Sequence, residues 1–399
     1  MTVLSSIEVI FDAGLMHRRV DEDDAARRRA FESLPAVALG IVGQSPAPLV
    51  VRMRTGESGT WVSVVNVCGT ACQAVLACDA APSGAHDAVT KDALPVGAAG
   101  EVLVGLGPWE MKTIVVEGER TVTAARVMFE PGVQERLKER LAELHRRRTA
   151  LEMPAPLAVL DNPSFDLPEL GGLVPGWELL EPRRGTFSPV AGKPSAGSKA
   201  AMFASANGLA TLRSNPFPPP ATGRISIAMW VRTADGSQQP PLRIAIEGVQ
   251  DDREYYRFAP VGRGAGAMPL TSAWSQFVLQ IDDLPTRGIE SLRVRLDLLG
   301  PGSVEIDDVR VFDLAFEESQ RVQLSRLLAV ADERFAAGDI GGCLVDVDGH
   351  WPRFLERFVP PVAAAAPDPA ATGAGGLGTD ESAQPQRTGV MDRVRRWWQ

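Results

Sequence analysis

The sequence predicts a mainly β fold: two antiparallel β-sandwiches joined by a long helix, then a small helical C-terminal segment and a disordered tail. Three observations carry this. Over 160–314, short runs alternate apolar with polar residues and are separated by Gly, Pro, Asp and Asn, the pattern of an antiparallel sandwich. Residues 49–129 show the same alternation in a second block. Between them, Val133, Leu137, Leu141, Leu144 and Leu151 form one helical stripe behind Pro131.

In order, the chain divides into an N-terminal strand–helix segment (1–47), a sandwich (48–129), a connecting helix (130–155) and a second sandwich (156–314). A helical segment (315–360), a linker (361–389) and a basic aromatic tail (390–399) follow. A strand is expected at 7–12, and a helix at 21–33 with acidic residues before Arg27-Arg28-Arg29, as the helix dipole prefers. Strands follow at 49–54, 61–67, 71–78, 101–106, 109–116 and 121–128, with 101–106 and 109–116 paired around Gly107-Pro108. The helix at 131–151 is expected to space the two sandwiches, and Arg146-Arg147-Arg148 reads as its solvated end. Helices are expected at 316–337, 340–347 and 351–359. The linker is rich in Ala, Pro and Gly and poor in large apolar residues, which predicts disorder. In the tail, Val390, Val394 and Trp397 would share a helix face suited to a membrane surface or a partner protein; a frayed end is the alternative.

Composition excludes some functions. A net charge of −9 over 399 residues argues against a general nucleic-acid binder, and no apolar run is long enough to span a membrane. The first residues lack a basic n-region and an apolar h-region, so no secretory signal is expected in the chain as given. Of the four cysteines, Cys72 and Cys78 would lie about 20 Å apart on one strand and cannot bridge. Cys68 and Cys72 flank a tight turn; free, buried thiols are the expectation. His86 completes no zinc site with them. Glu8 and Asp12 would stand about 13 Å apart along a strand, too far for a glycosidase pair. The four histidines lie in unrelated contexts, and no nucleophile elbow or phosphate-binding glycine loop is present. The chain reads as non-catalytic.

In the second sandwich, strand alternation separates an apolar set (Ile225, Ile227, Met229, Val231; Leu242, Ile244, Ile246; Phe277, Leu279, Ile281; Leu292, Val294, Leu296, Leu298) from a polar one. The polar set is Trp230, Arg232, Arg243, Glu247, Gln276, Gln280, Arg293, Arg295 and Asp297, expected on one face. The side-chain phase slips between Ile306 and Val309, which predicts a β-bulge at Asp307-Asp308.

Asn162-Pro163-Ser164-Phe165-Asp166, Gly176-Trp177, Trp274-Ser275-Gln276-Phe277 and Ile306-Asp307-Asp308-Val309 together resemble the jelly-roll, galactose-binding-like carbohydrate-binding modules, over 160–314. The resemblance implies a jelly roll for the second sandwich, with Trp177 and Trp274 as framework and core. It implies a structural calcium ion at Asp166 and Asp307 or Asp308, where the alternative is a bulge whose carboxylates bond nearby turns. It also implies a groove for a glycan or polysaccharide built from Trp230, Arg232, Arg243, Glu247, Arg293 and Arg295, with Tyr255 or Tyr256. The chain departs from that pattern in having a single confident aromatic, Trp230, on the face. The competing reading is a structural or interaction scaffold whose charges pair or pack on a partner. Trp61-Val62-Ser63-Val64-Val65-Asn66 followed by 102–113 resembles the β-sandwich that follows the barrel in glycoside hydrolases. The chain would then match a detached C-terminal part of a longer, exported parent, against the absent signal; the compartment stays open.

Overall fold

The computed structural model describes residues 22–361, apart from Gln44, Ser58, Ala98, 193–198, Asp235, Ser237, Gln238 and Ala265. The strand expected at 7–12, the linker beyond its first residue and the basic aromatic tail lie outside the described residues. The fold is mainly β, with four antiparallel sheets forming two sandwiches, a helix between them in sequence, and C-terminal helices. It divides into two compact units, 22–150 with 319–361, and 151–318.

The first unit opens with α1 (Glu22–Glu32) and β1 (Gly40–Ile41). It continues through β2 (Leu49–Gly56), β3 (Gly59–Asn66), β4 (Cys72–Cys78), β5 (Ala85–Asp87), β6 (Glu101–Leu106), β7 (Met111–Val116) and β8 (Val122–Phe129) to α2 (Val133–Ala150). One sheet runs β1-β2-β3-β7-β5 and the other β6-β4-β8. Alternate residues of both, among them Val62, Val64, Ala74, Leu76, Val102, Val104, Ile114 and Val116, close the core. β5 is three residues long, too short for alternation to reveal it.

The expected hairpin between 101–106 and 109–116 does not form. β6 pairs with β4 (Leu76 opposite Val102), whereas β7 pairs with β3 (Trp61 opposite Val115). The connection arches from one sheet to the other, with Trp109 at φ +58°. Buried Asn66 fixes the arch by donating from Nδ2 to Gly107 O (2.8 Å) and Thr70 O (2.9 Å). Alternation identifies strands, but in a sandwich it does not choose their partners.

The second unit contains β9 (Trp177–Leu179), β10 (Gly185–Ala191), β11 (Lys199–Ser205), β12 (Ala210–Ser214) and β13 (Ile225–Arg232). After these come β14 (Pro241–Gln250), β15 (Arg253–Gly262), β16 (Ser275–Ile281), β17 (Ile289–Leu298) and β18 (Gly302–Phe312). The sheets are β10-β11-β18-β13-β16 and β15-β14-β17-β12-β9, and the predicted apolar set lies in the core between them. The opening motif plugs one end. Phe165 is fully buried, with its ring centroid 5.3 Å from Trp177 and 5.8 Å from Phe187. Trp177 Nε1 donates to Asn162 O (3.3 Å), and Asn162 Nδ2 donates to Pro175 O (3.2 Å). Gly176 has φ +83°, and a Cβ there would lie 2.4 Å from Asp161 O, so the Gly176-Trp177 pair admits no side chain at its first position.

Three helices complete the first unit: α3 (Glu318–Ala336), α4 (Ile340–Val347) and α5 (His350–Phe358). α4 and α5 pack on α2, whose Val133, Leu137, Leu141 and Leu144 are buried as the stripe predicts. The helix expected as a spacer thus anchors the C-terminal helices. Arg140 of α2 joins them: Nη1 to Asp348 Oδ1 (2.8 Å), Nε to Glu356 Oε1 (2.6 Å) and Nη2 to Val347 O (3.0 Å). Asp348 Oδ2 also accepts from the Gly69 amide at 2.5 Å.

All four cysteines are free, as expected. Burial pushes the thiols of Cys68 and Cys343 up to about 12 and that of Cys72 to about 11, so at neutral pH they carry almost no nucleophilic thiolate.

Candidate functional site

The polar residues expected on one face fall on two. Trp230 and Arg232 are on β13, with Gln276 and Gln280 of its neighbour β16 in the same sheet. Arg243 and Glu247 are on β14, and Arg293, Arg295 and Asp297 on β17, in the other sheet. Each sheet turns its apolar side to the shared core, so the two polar sides point away from each other. The six-residue groove of Trp230, Arg232, Arg243, Glu247, Arg293 and Arg295 is therefore not formed as one surface. Alternation assigned each residue to the correct side of its own strand; it carries no information on which sheet the strand joins.

On the first of these faces, Arg232 donates from Nε and Nη2 to Glu305 Oε2 (2.9 and 2.6 Å), and its guanidinium lies 4.5 Å from the Trp274 ring centroid. Trp177 is core, as expected, but Trp274 is half-buried beneath Arg232 rather than part of the core. Toward the strand's start, the outer side is covered: Ala228 packs under Phe312 and Ala315.

The second face is broader. Its outer row includes Glu178 of β9, Thr211 and Arg213 of β12, Arg293, Arg295 and Asp297 of β17, Arg243 and Glu247 of β14, and Tyr256 and Phe258 of β15. Tyr256 and Phe258 stand side by side, with centroids 5.6 Å apart, and Phe258 is 45% exposed. Arg243 lies over the Phe258 ring at 4.6 Å and Arg295 over Tyr256 at 5.3 Å. Between these groups, in register with both Phe258 and Arg295, the small Ala245 is fully covered by its neighbours.

Polar bonds knit the face together. Arg295 donates from Nη1 to Glu247 Oε2 (2.8 Å) and from Nε to Asp297 Oδ1 (2.9 Å). Burial alone would lower its pKa, but these two hydrogen bonds more than offset it and hold the guanidinium firmly charged. Arg213 pairs with Glu178 (2.9 Å) and, at 3.7 Å, with Glu247. Asp297 also accepts from Thr211 Oγ1 (2.8 Å) and Tyr256 OH (2.7 Å). Burial, then the bond to Asp297, raises the Tyr256 phenol well above its ordinary range, so it stays a donor. Arg293 Nη1 donates to Ser214 O (2.7 Å). Among the described residues, Arg243 has no hydrogen-bond or ion-pair partner beyond its ring contact.

Sequence reasoning left Tyr255 and Tyr256 as alternatives; Tyr255 is core and Tyr256 is on the face. Phe258, Arg213 and Glu178 were missed. In 254–258 three aromatics occur within four residues, so their polarity does not fix which alternate set points out.

The carboxylates expected to hold calcium lie at the opening motif and at the predicted bulge of β18, near enough for their charges to interact. The predicted bulge is present: the β13–β18 register shifts opposite Ala228/Trp230, and Asp308 takes φ +51°. Asp308 Oδ1 accepts from Arg310 Nε (2.7 Å), Asp307 Oδ1 from the Asp308 amide (2.7 Å), and Asp166 Oδ1 from the Lys199 amide (3.1 Å). Among the described residues no group of three His, Cys, Asp or Glu side chains is arranged for a metal ion. Asp308 is engaged by Arg310, whereas Asp166 and Asp307 lie close enough for their charges to interact, so these two are the carboxylates left for a cation, which would need backbone carbonyls besides.

Asp307 nonetheless has a measurable consequence. Burial, then the charges of Asp308 and Asp166, push its carboxyl up to about 7. Its folded-state pKa thus exceeds the ordinary unfolded value, so the unfolded chain gives up the proton first. The contribution of Asp307 to stability should be greatest below about pH 4, fall between about pH 4 and pH 7, and level off above, by roughly 1–4 kcal/mol in chelator. Asp307→Asn should remove most of this slope and be more stable than the parent at pH 8. Urea unfolding at pH 5 and pH 8 checks it; parallel slopes in the two proteins would contradict it.

No protein-family model matches the sequence, and no curated protein matches it. Solved structures do resemble the fold. The enzymatically active domain of tailspike protein 4 of bacteriophage CBA120 is 11% identical over 39% of this chain and 21% of its own, with a TM-score of 0.30. The CBM22-1 xylan-binding domain of Paenibacillus barcinonensis Xyn10C is 12% identical over 41% of this chain and 97% of its own, with a TM-score of 0.32. The arabinose-bound α-L-arabinofuranosidase MgGH51 is 13% identical over 45% of this chain and 30% of its own, with a TM-score of 0.31. This chain accordingly spans about a fifth of the tailspike chain and under a third of the arabinofuranosidase. At such scores and identities the likeness concerns fold and says nothing of ligand.

Proposed function

We propose that this chain is a non-catalytic, glycan-binding accessory protein whose site is the outer face of the β15-β14-β17-β12-β9 sheet. One observation carries the reading: adjacent Tyr256 and Phe258 rings, one substantially exposed, stand beside planar guanidinium and carboxylate groups. Sugar rings present apolar C–H faces that stack on aromatics and hydroxyls that pair with planar polar groups, so this combination suits them. The Arg243 guanidinium over Phe258 would slide aside or share the ring edge as a sugar docks.

The test is binding of the purified full chain to a broad glycan and polysaccharide panel. Phe258→Ala should weaken the best hit by about tenfold or more, whereas Trp230→Ala, on the opposite sheet, should leave it unchanged. Loss with Trp230→Ala and not Phe258→Ala would move the site to the other face. An empty panel with folded protein would end the glycan reading.

A second reading, an interaction scaffold, draws on the internal pairing of Glu178, Glu247 and Asp297 with arginines of the same face. It expects no sugar binding, and loss of assembly on charge reversal at Arg293 or Arg295. A structural cation near Asp166 and Asp307 belongs to the glycan-binding reading as a separate proposal. Added calcium should then raise the unfolding midpoint at pH 8 over that in chelator, and equal midpoints would remove it. Among the described residues no helix is long and apolar enough to cross a membrane.

A further inference from the structure

We infer that the glycan taken by this face is acidic, carrying a carboxylate that Arg243 receives beside Phe258. The inference rests on the proposed glycan site and specifies its ligand class.

The argument is a count of unspent hydrogen-bonding capacity. The acceptors of the face are heavily used. Asp297 accepts from Thr211, Arg295 and Tyr256; Glu247 accepts from Arg295 and lies near Arg213; Glu178 accepts from Arg213. The donors are not. Arg243 is half-buried, lies 4.6 Å from the Phe258 ring centroid, and has no carboxylate, carbonyl or hydroxyl hydrogen-bond partner among the described residues. Arg293 donates to the Ser214 carbonyl and faces no carboxylate within ion-pair distance among the described residues. A guanidinium offers five N–H donors and no acceptor. What the face asks of a ligand is therefore acceptors, concentrated at the Arg243 end.

Charge leaves Arg243 as the local determinant. On the outer face four arginines (Arg213, Arg243, Arg293, Arg295) stand among four carboxylates (Glu178, Glu247, Glu254, Asp297), so the surface has no net charge. The whole chain carries −9, so general attraction of polyanions to the protein is disfavoured and an acidic ligand would have to be drawn by Arg243 itself. A neutral sugar hydroxyl would satisfy only part of the Arg243 fork. A uronic-acid carboxylate accepts two parallel N–H bonds from it while the sugar ring lies against Phe258.

The experiment uses the full chain and matched probe pairs that differ in the acid group: oligogalacturonate against its methyl ester, and glucuronic-acid-substituted xylan against unsubstituted xylan. At least one acidic member should bind about tenfold or more tighter than its neutral partner, and this preference should shrink as salt rises. Arg243→Gln should erase the preference, so that acidic and neutral members of a pair bind alike; Arg243→Lys, with the charge but not the planar fork, should retain part of it. Phe258→Ala should weaken acidic and neutral members alike. Equal binding within both pairs, or a preference that survives Arg243→Gln, would overturn the acidic reading and leave glycan binding standing. Binding of neutral panel glycans with none to the acidic probes would do the same. Failure of every acidic and neutral glycan would overturn both.

Discussion

Replacing Arg140 by methionine should lower the stability of the first unit by about 3–5 kcal/mol. Arg140 is bonded to Asp348, Glu356 and the Val347 carbonyl, and the Asp348 side chain is only 6% exposed. Burial by itself would lower the Arg140 pKa, but the bonds to Glu356 and Asp348 raise it, so the cation is fixed where it is least hydrated. Methionine fills much of the space yet leaves Asp348 charged, buried and held only by the Gly69 amide. The cost comes mainly from that stranded carboxylate, so adding Asp348→Leu to Arg140→Met should recover a large part of it. Glu356 is more exposed, at 34%, and Glu356→Gln should cost under about 1 kcal/mol. Urea unfolding of the full chain gives the totals. Hydrogen exchange at amides of α4 and α5 locates them, because these helices have α2 as their anchor. Unchanged exchange there in Arg140→Met would show that the apolar stripe alone suffices.

This cluster also marks where sequence reading stops. Val133, Leu137, Leu141 and Leu144 revealed α2 and its buried side because helical periodicity is local. That Arg140 of the same helix meets Asp348 and Glu356, more than 200 positions away, is a tertiary fact with no local trace. The β regions behave alike. Ile225, Ile227, Met229 and Val231 fixed β13 and its inward side, and the phase slip at Asp307-Asp308 foretold a bulge that the backbone displays. The partner of each strand was not legible. Trp230 and Arg243 thus fell into one imagined groove, and 101–106 into a hairpin with 109–116, although β6 and β7 lie in different sheets. Phe258 was lost because Tyr255 and Tyr256 beside it blur the alternation. What was legible of the candidate site is its chemistry, Arg243, Glu247, Arg293 and Arg295; what was not is the surface they share.

Phe165→Ala should be the most damaging single change in the second unit, costing about 3–5 kcal/mol. The opening Asn162-Pro163-Ser164-Phe165 stretch drew attention as a motif, and the structure gives it a mechanical reason. Phe165 has no exposed surface and packs its ring on Trp177 and Phe187, so truncation leaves a cavity bounded by two large rings that β9 and β10 hold in place. Such a site cannot collapse well, because Trp177 is tethered through Nε1 to Asn162 O, and Gly176 before it touches the Asp161 backbone. Phe165 also sits at φ +57°, which alanine would have to adopt without the packing that offsets it. Phe165→Leu keeps most of the apolar volume and should recover more than half of the loss. In the full chain, the loss should appear as faster exchange of the amides of β9 and β12, the edge of the sheet that Trp177 begins, with β2 and β3 of the other unit unchanged. The proposed glycan face includes Glu178 and Arg213 on those same two strands, so glycan affinity should fall together with their protection. A stable Phe165→Ala protein with native exchange in β9 would show that the motif is not the plug of this sandwich.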